Sequence, residues 1–429
     1  MKRVAILGGG YAGMAAATEL TANGHRVTVF EAGKVLGGRA RGVKLDGLSL
    51  DNGQHLVIGA YTEMLRLMRQ VGVDPDRAFL RKRLDLTVEP GFRLRCPYLP
   101  APLHLAGGLL TLRGLNLKAR WQLVQALRKV QAQDWRLHRD MRVSRWLELE
   151  KQPQQLISRF WQPLTLAALN TPLEKASAQV LLNVLRDSLG GAREASDLLF
   201  PKVDFSMLFP KPAALWITSL GGDIRLGVMV KSLRKLADGW QVNDGEERFD
   251  EVICALPPHR VAMALSGFPE MAPLCKQLLE WNYQPISTVY LQYPSSIRLS
   301  RPMVGLADSL AQWVFDRGQT HDTPGMIAVV ISAEGDHQNL DRETLMAQVQ
   351  EELHQKLGLP KKASRRGLIS EKLATFACEP KLLRPLNQTR IPGLWLAGDY
   401  TAGDPRDYPA TLEGAVRSGV AAARGVMAS

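Results

Sequence analysis

A glycine-rich turn between two apolar segments opens the chain, and it constrains the fold more than any other feature. Residues 3–7, RVAIL, predict a short buried strand, and the run GGGYAG at 8–13 leads from it into an alanine-rich helix. Residues 26–30 predict a second strand, which ends at Glu31. In such a unit the glycines allow close backbone approach, the helix start offers N–H groups to a pyrophosphate, and the acid binds ribose hydroxyls. This order predicts a dinucleotide-binding α/β unit rather than a merely structural turn.

Two further motifs indicate which dinucleotide binds. Residues 36–41, LGGRAR, form a second glycine-rich turn, for which an ordinary surface loop is the alternative. Residues 394–399, LWLAGD, predict a strand that ends in Gly-Asp, and a helix is predicted to begin within 411–419. These motifs resemble those of the flavin-dependent amine oxidase and phytoene desaturase superfamily. The resemblance implies FAD, with the arginine near the diphosphate, the aspartate on the ribityl hydroxyls and the helix start facing the flavin ring.

The same resemblance divides the 429 residues into interleaved domains. It implies an α/β fold, in which a Rossmann-type FAD-binding domain is formed by 1–74, 206–269 and 386–429. The substrate domain, of α+β type, is then formed by 75–205 and 270–385. The resemblance places FAD contacts at Gly8, Gly10, Tyr11, Ala12, Gly13, Glu31, Ala32, Gly37, Gly38, Arg39, Gly53, Gln54, His55, Val230, Gly398, Asp399, Thr411 and Leu412.

More specific runs point to one branch of the superfamily. DNGQH at 51–55 and GAYTEML at 59–65 are similar to the squalene-associated FAD-dependent desaturase family, and the similarity continues through FWQPL at 160–164 and ALNTP at 168–172. It implies that reduced flavin delivers hydride to hydroxysqualene, a C30 isoprenoid, to form squalene in squalene and hopanoid synthesis. The chain departs from this family between Asp399 and Thr411, where the usual short run is replaced by a longer one.

Removal of a hydroxyl group needs a donor for the departing oxygen. His55 is a candidate because its motif lies near the flavin, and Asp407 and Tyr408 are candidates because they lie in the departing run. The structural alternatives are a hydrogen bond from His55 to backbone or flavin, and solvation of the two loop side chains. Four aromatic residues either line an apolar substrate pocket or belong to the core, namely Phe160, Trp161, Phe209 and Trp216.

The formal net charge of +12 is concentrated in one stretch. Residues 113–146 contain nine basic and two acidic residues, and they follow an apolar run at 96–112 whose prolines and glycines would break a spanning helix. Leu117, Trp121, Val124 and Leu127 recur at helical spacing. The region 97–146 therefore either lies on a membrane surface with anionic lipid or forms an amphipathic helix packed on its own core. No nucleic-acid-binding motif accompanies the charge, so no such partner is expected.

Compartment and redox chemistry follow from smaller signals. No small-residue cleavage site follows the apolar start, which predicts a cytoplasmic protein, placed at the inner face of the membrane if it binds lipid. Four cysteines lie far apart without a CxxC pair, so we expect neither a zinc site nor a disulfide framework. An electron donor, of a kind that the sequence does not specify, has to reduce the FAD.

Other functions use the same scaffold. A carotenoid or phytoene-type desaturase would remove hydride from a polyene precursor with oxidised flavin. An amine oxidase is less well matched, because no covalent-flavin cysteine motif is evident, and a non-catalytic prenyl-lipid binder would not need the complete set of FAD motifs. We therefore expect an FAD-dependent oxidoreductase that acts on an isoprenoid, with reductive dehydroxylation as the first hypothesis and oxidative desaturation as the alternative.

Overall fold

The computed structural model describes residues 1–45, 47–403 and 406–429. Its strands are β1 (Arg3–Leu7), β2 (Arg26–Glu31), β3 (Gly42–Leu45), β4 (Leu48–Asp51), β5 (Val57–Ile58), β6 (Phe79–Lys82), β7 (Asp85–Glu89), β8 (Phe92–Arg95), β9 (Leu198–Pro201), β10 (Asp223–Leu226), β11 (Leu233–Leu236), β12 (Gly239–Val242), β13 (Glu251–Cys254), β14 (Tyr283–Gln292), β15 (Met303–Leu306), β16 (Trp313–Asp316), β17 (Met326–Ser332), β18 (Arg365–Phe376) and β19 (Leu394–Leu396). Its α-helices are α1 (Tyr11–Ala22), α2 (Thr62–Gln70), α3 (Pro75–Ala78), α4 (Leu103–Leu110), α5 (Leu117–Ala132), α6 (Val143–Leu149), α7 (Gln154–Leu156), α8 (Gln162–Leu169), α9 (Ala178–Leu189), α10 (Phe205–Leu208), α11 (Pro210–Ser219), α12 (Pro258–Ala264), α13 (Ala272–Glu280), α14 (Arg342–Leu357) and α15 (Leu412–Ala428).

A five-stranded parallel sheet brings the glycine-rich motifs together. Its order is β10-β2-β1-β13-β19, so strands from the start, the middle and the end of the chain lie side by side. Beside this sheet, helices α1 and α15 pack closely against each other. A Cβ atom at Gly419 of α15 would lie only 2.1 Å from the carbonyl oxygen of Ala12 in α1. The carboxyl ends of parallel strands meet at one edge, where α/β folds bind their ligands. The parallel order confirms the predicted α/β class.

The structure contains a second, larger sheet of seven strands. Its order is β18-β14-β17-β16-β15-β7-β8, and the pairs are antiparallel except for β15 with β7. One face packs on α14, where Val289 and Leu291 join a core with Leu345 and Val349. Alternate residues of β14 point to the opposite face, which includes Tyr290 and belongs to the main core. This second face lies against the β3–β4 hairpin and the turn that follows it.

Helices between residues 103 and 189 cover the second sheet. In the described parts of the chain, none of the helices is both long enough and apolar enough to cross a membrane. Helix α5 buries one stripe, formed by Ala119, Leu123, Ala126 and Val130. Two of the four residues predicted as its apolar face, Val124 and Leu127, are only half-buried, and the other two are exposed.

Candidate active site

The first glycine-rich turn has the shape that the sequence predicts, because two of its glycines leave no room for a side chain. Gly8 has φ +108°, and a Cβ atom there would lie 2.8 Å from the carbonyl oxygen of Ala255. A Cβ at Gly13 would lie 2.0 Å from the carbonyl oxygen of Gly8. At Gly10, by contrast, the nearest atom to a Cβ is 3.8 Å away. That atom is the Cα of Gly38, so the two glycine-rich turns are in ordinary contact at the start of α1.

Glu31 braces this turn from the end of β2. Its carboxylate accepts hydrogen bonds from the backbone N–H groups of Gly9 and Gly33, both at 2.7 Å. Carboxylate oxygens have further lone pairs, so the group can still accept bonds from ribose hydroxyls. Val230 follows β10, which is the neighbour of β2 in the sheet, and it is buried. Tyr11 differs from the expectation in one respect, since its phenol donates to the carbonyl oxygen of Phe205 and only its backbone is available to a cofactor.

The two ends of the chain meet through Arg39 and Asp399. The second glycine-rich turn lies against the first, since the N–H of Gly37 donates to the carbonyl oxygen of Gly9 at 2.9 Å. Arg39 follows it and donates to both carboxylate oxygens of Asp399, at 2.8 and 2.7 Å, and to the carbonyl oxygen of Ala374. The sequence places both residues at the FAD but does not predict this ion pair. The pair brings the guanidinium of Arg39 and the carboxylate of Asp399 together where the early and late parts of the chain meet.

The start of the last helix completes the cofactor side. Thr411 caps α15, because its Oγ1 accepts a hydrogen bond from the N–H of Gly414, and Leu412 is the first residue of that helix. The fit of these residues to FAD rests on three features: two glycine-rich turns that contact each other, the N–H groups at the starts of α1 and α15, and carboxylates at Glu31 and Asp399. These are the donors and acceptors that a pyrophosphate and two sugar-like chains require.

The turn at 51–55 lies between the cofactor motifs and the second sheet. Asn52 donates to the carbonyl oxygen of Arg39 at 3.0 Å, which ties the turn to the junction above. His55 Nδ1 lies 2.6 Å from the carbonyl oxygen of Gly53, and a carbonyl can only accept, so Nδ1 carries the proton. Burial lowers the pKa of His55, which keeps the ring neutral and leaves Nε2 without a proton. This arrangement favours the structural role over proton donation.

Asp407 and Tyr408 line a cleft of about 370 Å³ beside α9. Asn183 donates to the carbonyl oxygen of Asp407, and Arg186 donates to the phenol oxygen of Tyr408 at 3.1 Å. Burial, with a contribution from Asp187, raises the pKa of Tyr408. The structure thus shows hydrogen bonds of both residues to α9 and of the Asp407 carboxylate to the N–H of Gly403 in its own loop. Asp404 and Pro405, in the same departing run, lie outside the described residues.

Arg384 holds both ends of this departing run, and sequence reasoning missed it. Its guanidinium donates to the carbonyl oxygens of Asp399, of Tyr400 at 3.3 Å and of Tyr408 at 2.7 Å. The guanidinium also lies 4.7 Å above the ring of Phe376. Since Asp399 contacts Arg39 as well, two arginines fix the residue expected at the ribityl chain.

Two further residues missed from the sequence face the 51–55 turn from the second sheet. Thr288 is fully buried on β14, and a Cβ atom at Gly53 would lie 3.9 Å from its Oγ1. Among the described residues this hydroxyl has no hydrogen-bond partner. Its cross-strand neighbours are Val330 and Ile369, and the hydroxyl of Tyr290, on the same face of β14, donates to the turn instead. Arg317, which follows β16, reaches the same turn and is 2% exposed.

The aromatic residues proposed for the pocket divide between core and surface. Trp161 is fully buried, donates to Gln152 Oε1 at 3.0 Å and packs edge-on against Phe160. Phe209 is also fully buried and packs against Tyr11. For these three the core alternative applies, while Trp216 is half-buried.

Comparison with known proteins supports the same assignment. A curated relative from Rhodopseudomonas palustris, named hydroxysqualene dehydroxylase, is 28% identical over 100% of this chain and 99% of its own, and two others with that name are 26% identical. A zeta-carotene desaturase from Zea mays is 25% identical over 97% of this chain and 82% of its own. The fold matches that of an oxidoreductase from Methanosarcina mazei with a TM-score of 0.74 at 14% identity, covering 100% of both chains.

The family comparison covers nearly the whole chain. The model for flavin containing amine oxidoreductases matches residues 11–427, a range that begins in the first glycine-rich turn and ends in the last helix. This agrees with the FAD that the motifs predict and with their arrangement in one site. The chain therefore belongs to the flavin-containing amine oxidoreductase family and is an FAD-dependent oxidoreductase.

Proposed function

We propose that this enzyme reductively dehydroxylates hydroxysqualene to squalene, as a step of squalene and hopanoid synthesis. One hydride and one proton are consumed, and water leaves. Reduced FAD, when bound, supplies the hydride. The proposal is supported by the names of three relatives along the full chain and by the DNGQH run at 51–55.

The observation that carries the proposal is the hydroxyl of Thr288, which has no hydrogen-bond partner among the described residues and lies beside the 51–55 turn. A buried polar group without a partner costs free energy, which a ligand that completes the hydrogen bond would recover. The substrate has one oxygen on a hydrocarbon chain, and Thr288 would donate a hydrogen bond to it as it departs. The same face of the sheet carries Trp313, Phe315 and Val330, all buried, which suit the hydrocarbon.

A direct assay tests this reaction. The purified protein is reduced without oxygen and incubated with hydroxysqualene, and the product is identified by mass spectrometry. We expect squalene in proportion to bound FAD. If the flavin-loaded, reduced protein forms no squalene, the proposal is wrong.

Oxidative desaturation is the second candidate, favoured by relatives named zeta-carotene desaturase and phytoene desaturase at 24–26% identity. It requires oxidised FAD and an electron acceptor. Incubation of the oxidised protein with phytoene and a quinone separates the two, since only a desaturase lengthens the conjugated system and changes the visible spectrum.

We also propose that the enzyme meets its substrate at the inner face of the cytoplasmic membrane, through the ends of α4 and α5. Leu110 and Leu117 are 80% and 81% exposed, and Trp121 is 57% exposed. Arg120 links the two helices by a hydrogen bond to the carbonyl oxygen of Leu110. Exposed apolar residues with adjacent basic residues are typical of interfacial helices. Part of the predicted basic stretch is neutralised locally, as in the ion pair of Lys129 with Glu150 at 2.6 Å.

A further inference from the structure

Arg317 is a buried cation that the reaction described above does not use. It is 2% exposed, and its Nη1 donates to Asp51 Oδ2 at 3.1 Å and to Gln54 Oε1 at 2.9 Å. Both acceptors belong to the turn that contains Gly53. One guanidinium therefore reaches from the second sheet to residues on either side of the position expected at the flavin.

The neighbouring side chains contact this cation but do not use all of its hydrogen-bond donors. Tyr290 donates to the carbonyl oxygen of Asp51 at 2.9 Å, and its ring lies under the guanidinium at 5.8 Å. His321 Nε2 lies 3.7 Å from Asp51 Oδ2, beyond hydrogen-bond distance. Among the described residues, Arg317 Nε has no hydrogen-bond partner. A buried guanidinium with one carboxylate and an unused donor lowers the free energy of unfolding.

The contacts define what the cation can do. Gln54 was predicted as an FAD ligand, but its side-chain oxygen is occupied by Arg317, which leaves its N–H groups to face elsewhere. On the other side of the turn, Asn52 donates to the carbonyl oxygen of Arg39. The turn is thus held on one side by the backbone carbonyl of Arg39 and on the other by the guanidinium of Arg317, which follows β16 of the second sheet.

We propose that Arg317 is a positioning residue that fixes the Gln54 side chain and the Gly53 turn against the flavin, and that its charge favours the reduced cofactor. Reduction adds two electrons and one proton to FAD and leaves one negative charge on the ring system. A fixed positive charge in a water-poor surrounding stabilises that state relative to the neutral oxidised one, and the paired carboxylate of Asp51 offsets part of this effect. The inference rests on FAD binding at this turn and not on the identity of the substrate.

The test measures the reduction potential of bound FAD in the holoenzyme by dithionite titration against a reference dye. For Arg317→Met we expect reduced FAD to lose at least about tenfold in affinity relative to oxidised FAD, which corresponds to a fall of about 30 mV for a two-electron couple. Arg317→Lys keeps the charge and should restore most of the potential. The matched control is Arg93→Met, which removes an arginine paired with Asp85 elsewhere in the same sheet.

Loss of Arg317 alone strands a buried carboxylate, so the single variant is paired with Arg317→Met/Asp51→Asn, which removes both charges and should fold. We expect this double variant to bind FAD and to keep most of the potential, because no net charge is lost, but to show an altered visible spectrum of the flavin, because Gln54 is no longer held. A potential and spectrum equal to wild type in both variants would overturn the proposal. Because no substrate enters the titration, this outcome is independent of whether the enzyme forms squalene.

Discussion

At the scale of single residues, the role proposed for the Thr288 hydroxyl can be tested by substitution. Thr288→Val removes the hydroxyl and keeps nearly the same volume. We expect kcat for squalene formation to fall at least about tenfold, since a hydrogen bond to a group that gains charge contributes about 1.5–3 kcal/mol. The free energy of unfolding should stay equal or rise, because the lost hydroxyl has no partner in the described chain.

Thr288→Ser is the matched variant, because it retains the hydroxyl and should keep most of the activity. Steady-state assays of both variants, with FAD content measured in each, separate the hydroxyl from packing. Equal kcat in the valine variant would remove Thr288 from the mechanism.

His321 makes a pH-dependent contribution to stability. Burial, and then the charge of Arg317, lower its pKa to about 3, while an unfolded histidine titrates near pH 6.5. The unfolded state therefore binds a proton that the folded state does not, so stability falls as the pH drops below 6.5. Between about pH 7.5 and 5.5 this linkage costs about 1.4 kcal/mol. Asp51 and Thr320 also lie beside the His321 ring, but neither contact raises its pKa back to the unfolded value.

Between about pH 7.5 and 5.5, we expect the free energy of unfolding of His321→Gln to fall by about 1.4 kcal/mol less than that of wild type. Urea unfolding at both pH values measures this difference. The control is His138→Gln at an exposed position, which should unfold with the same pH dependence as wild type. Parallel pH profiles for wild type and His321→Gln would contradict this prediction.

At the scale of elements, helices α4 and α5 present apolar side chains to solvent at their adjoining ends. The variant Leu110→Ser/Leu117→Ser/Trp121→Ser should bind vesicles containing phosphatidylglycerol at least about tenfold more weakly, because each apolar side chain that leaves water contributes about 1.5–3 kcal/mol when fully buried. Flotation of the protein with vesicles measures the binding. Added salt should weaken wild-type binding as well, because basic residues contribute.

The control for this surface is Leu215→Ser, whose side chain is 75% exposed on α11, a helix that packs on α1. It should bind vesicles like wild type. Equal binding by the triple variant and wild type would show that the exposed leucines serve another purpose than lipid contact.

At the scale of the whole molecule, the Arg39–Asp399 pair joins segments that are 360 residues apart. Asp399→Asn leaves Arg39 without its carboxylate, so we expect the free energy of unfolding to fall by about 1.5–3 kcal/mol and FAD to bind at least about tenfold more weakly. Urea unfolding and titration of the apoprotein with FAD measure the two effects. Asp134→Asn is the control, because its 72% exposed carboxylate also pairs with a distant arginine, Arg406, yet should cost less than about 1 kcal/mol. FAD binding by Asp399→Asn at wild-type strength would contradict the role given to the pair.

The cofactor motifs were predictable because their chemistry is local. The close approach at Gly13 and the positive φ of Gly8 both follow from residues within one turn, and Glu31 ends the adjacent strand. The active-site wall was not predictable in the same way. The alternation in β14 separates Thr288 from Val289, but it does not indicate which of the two faces the 51–55 turn.

The sequence by itself determined the α/β class, the FAD motifs at both ends of the chain and the relationship to squalene-associated flavoproteins, since each depends on residue types at short spacing. The tertiary structure decided which distant side chains meet: Arg39 with Asp399, Arg384 with the loop ends, and Arg317 with Gln54. It also placed Trp161 in the core and Tyr408 beside Arg186 of α9. These contacts depend on how two sheets pack, and packing between segments hundreds of residues apart leaves no local pattern in the chain.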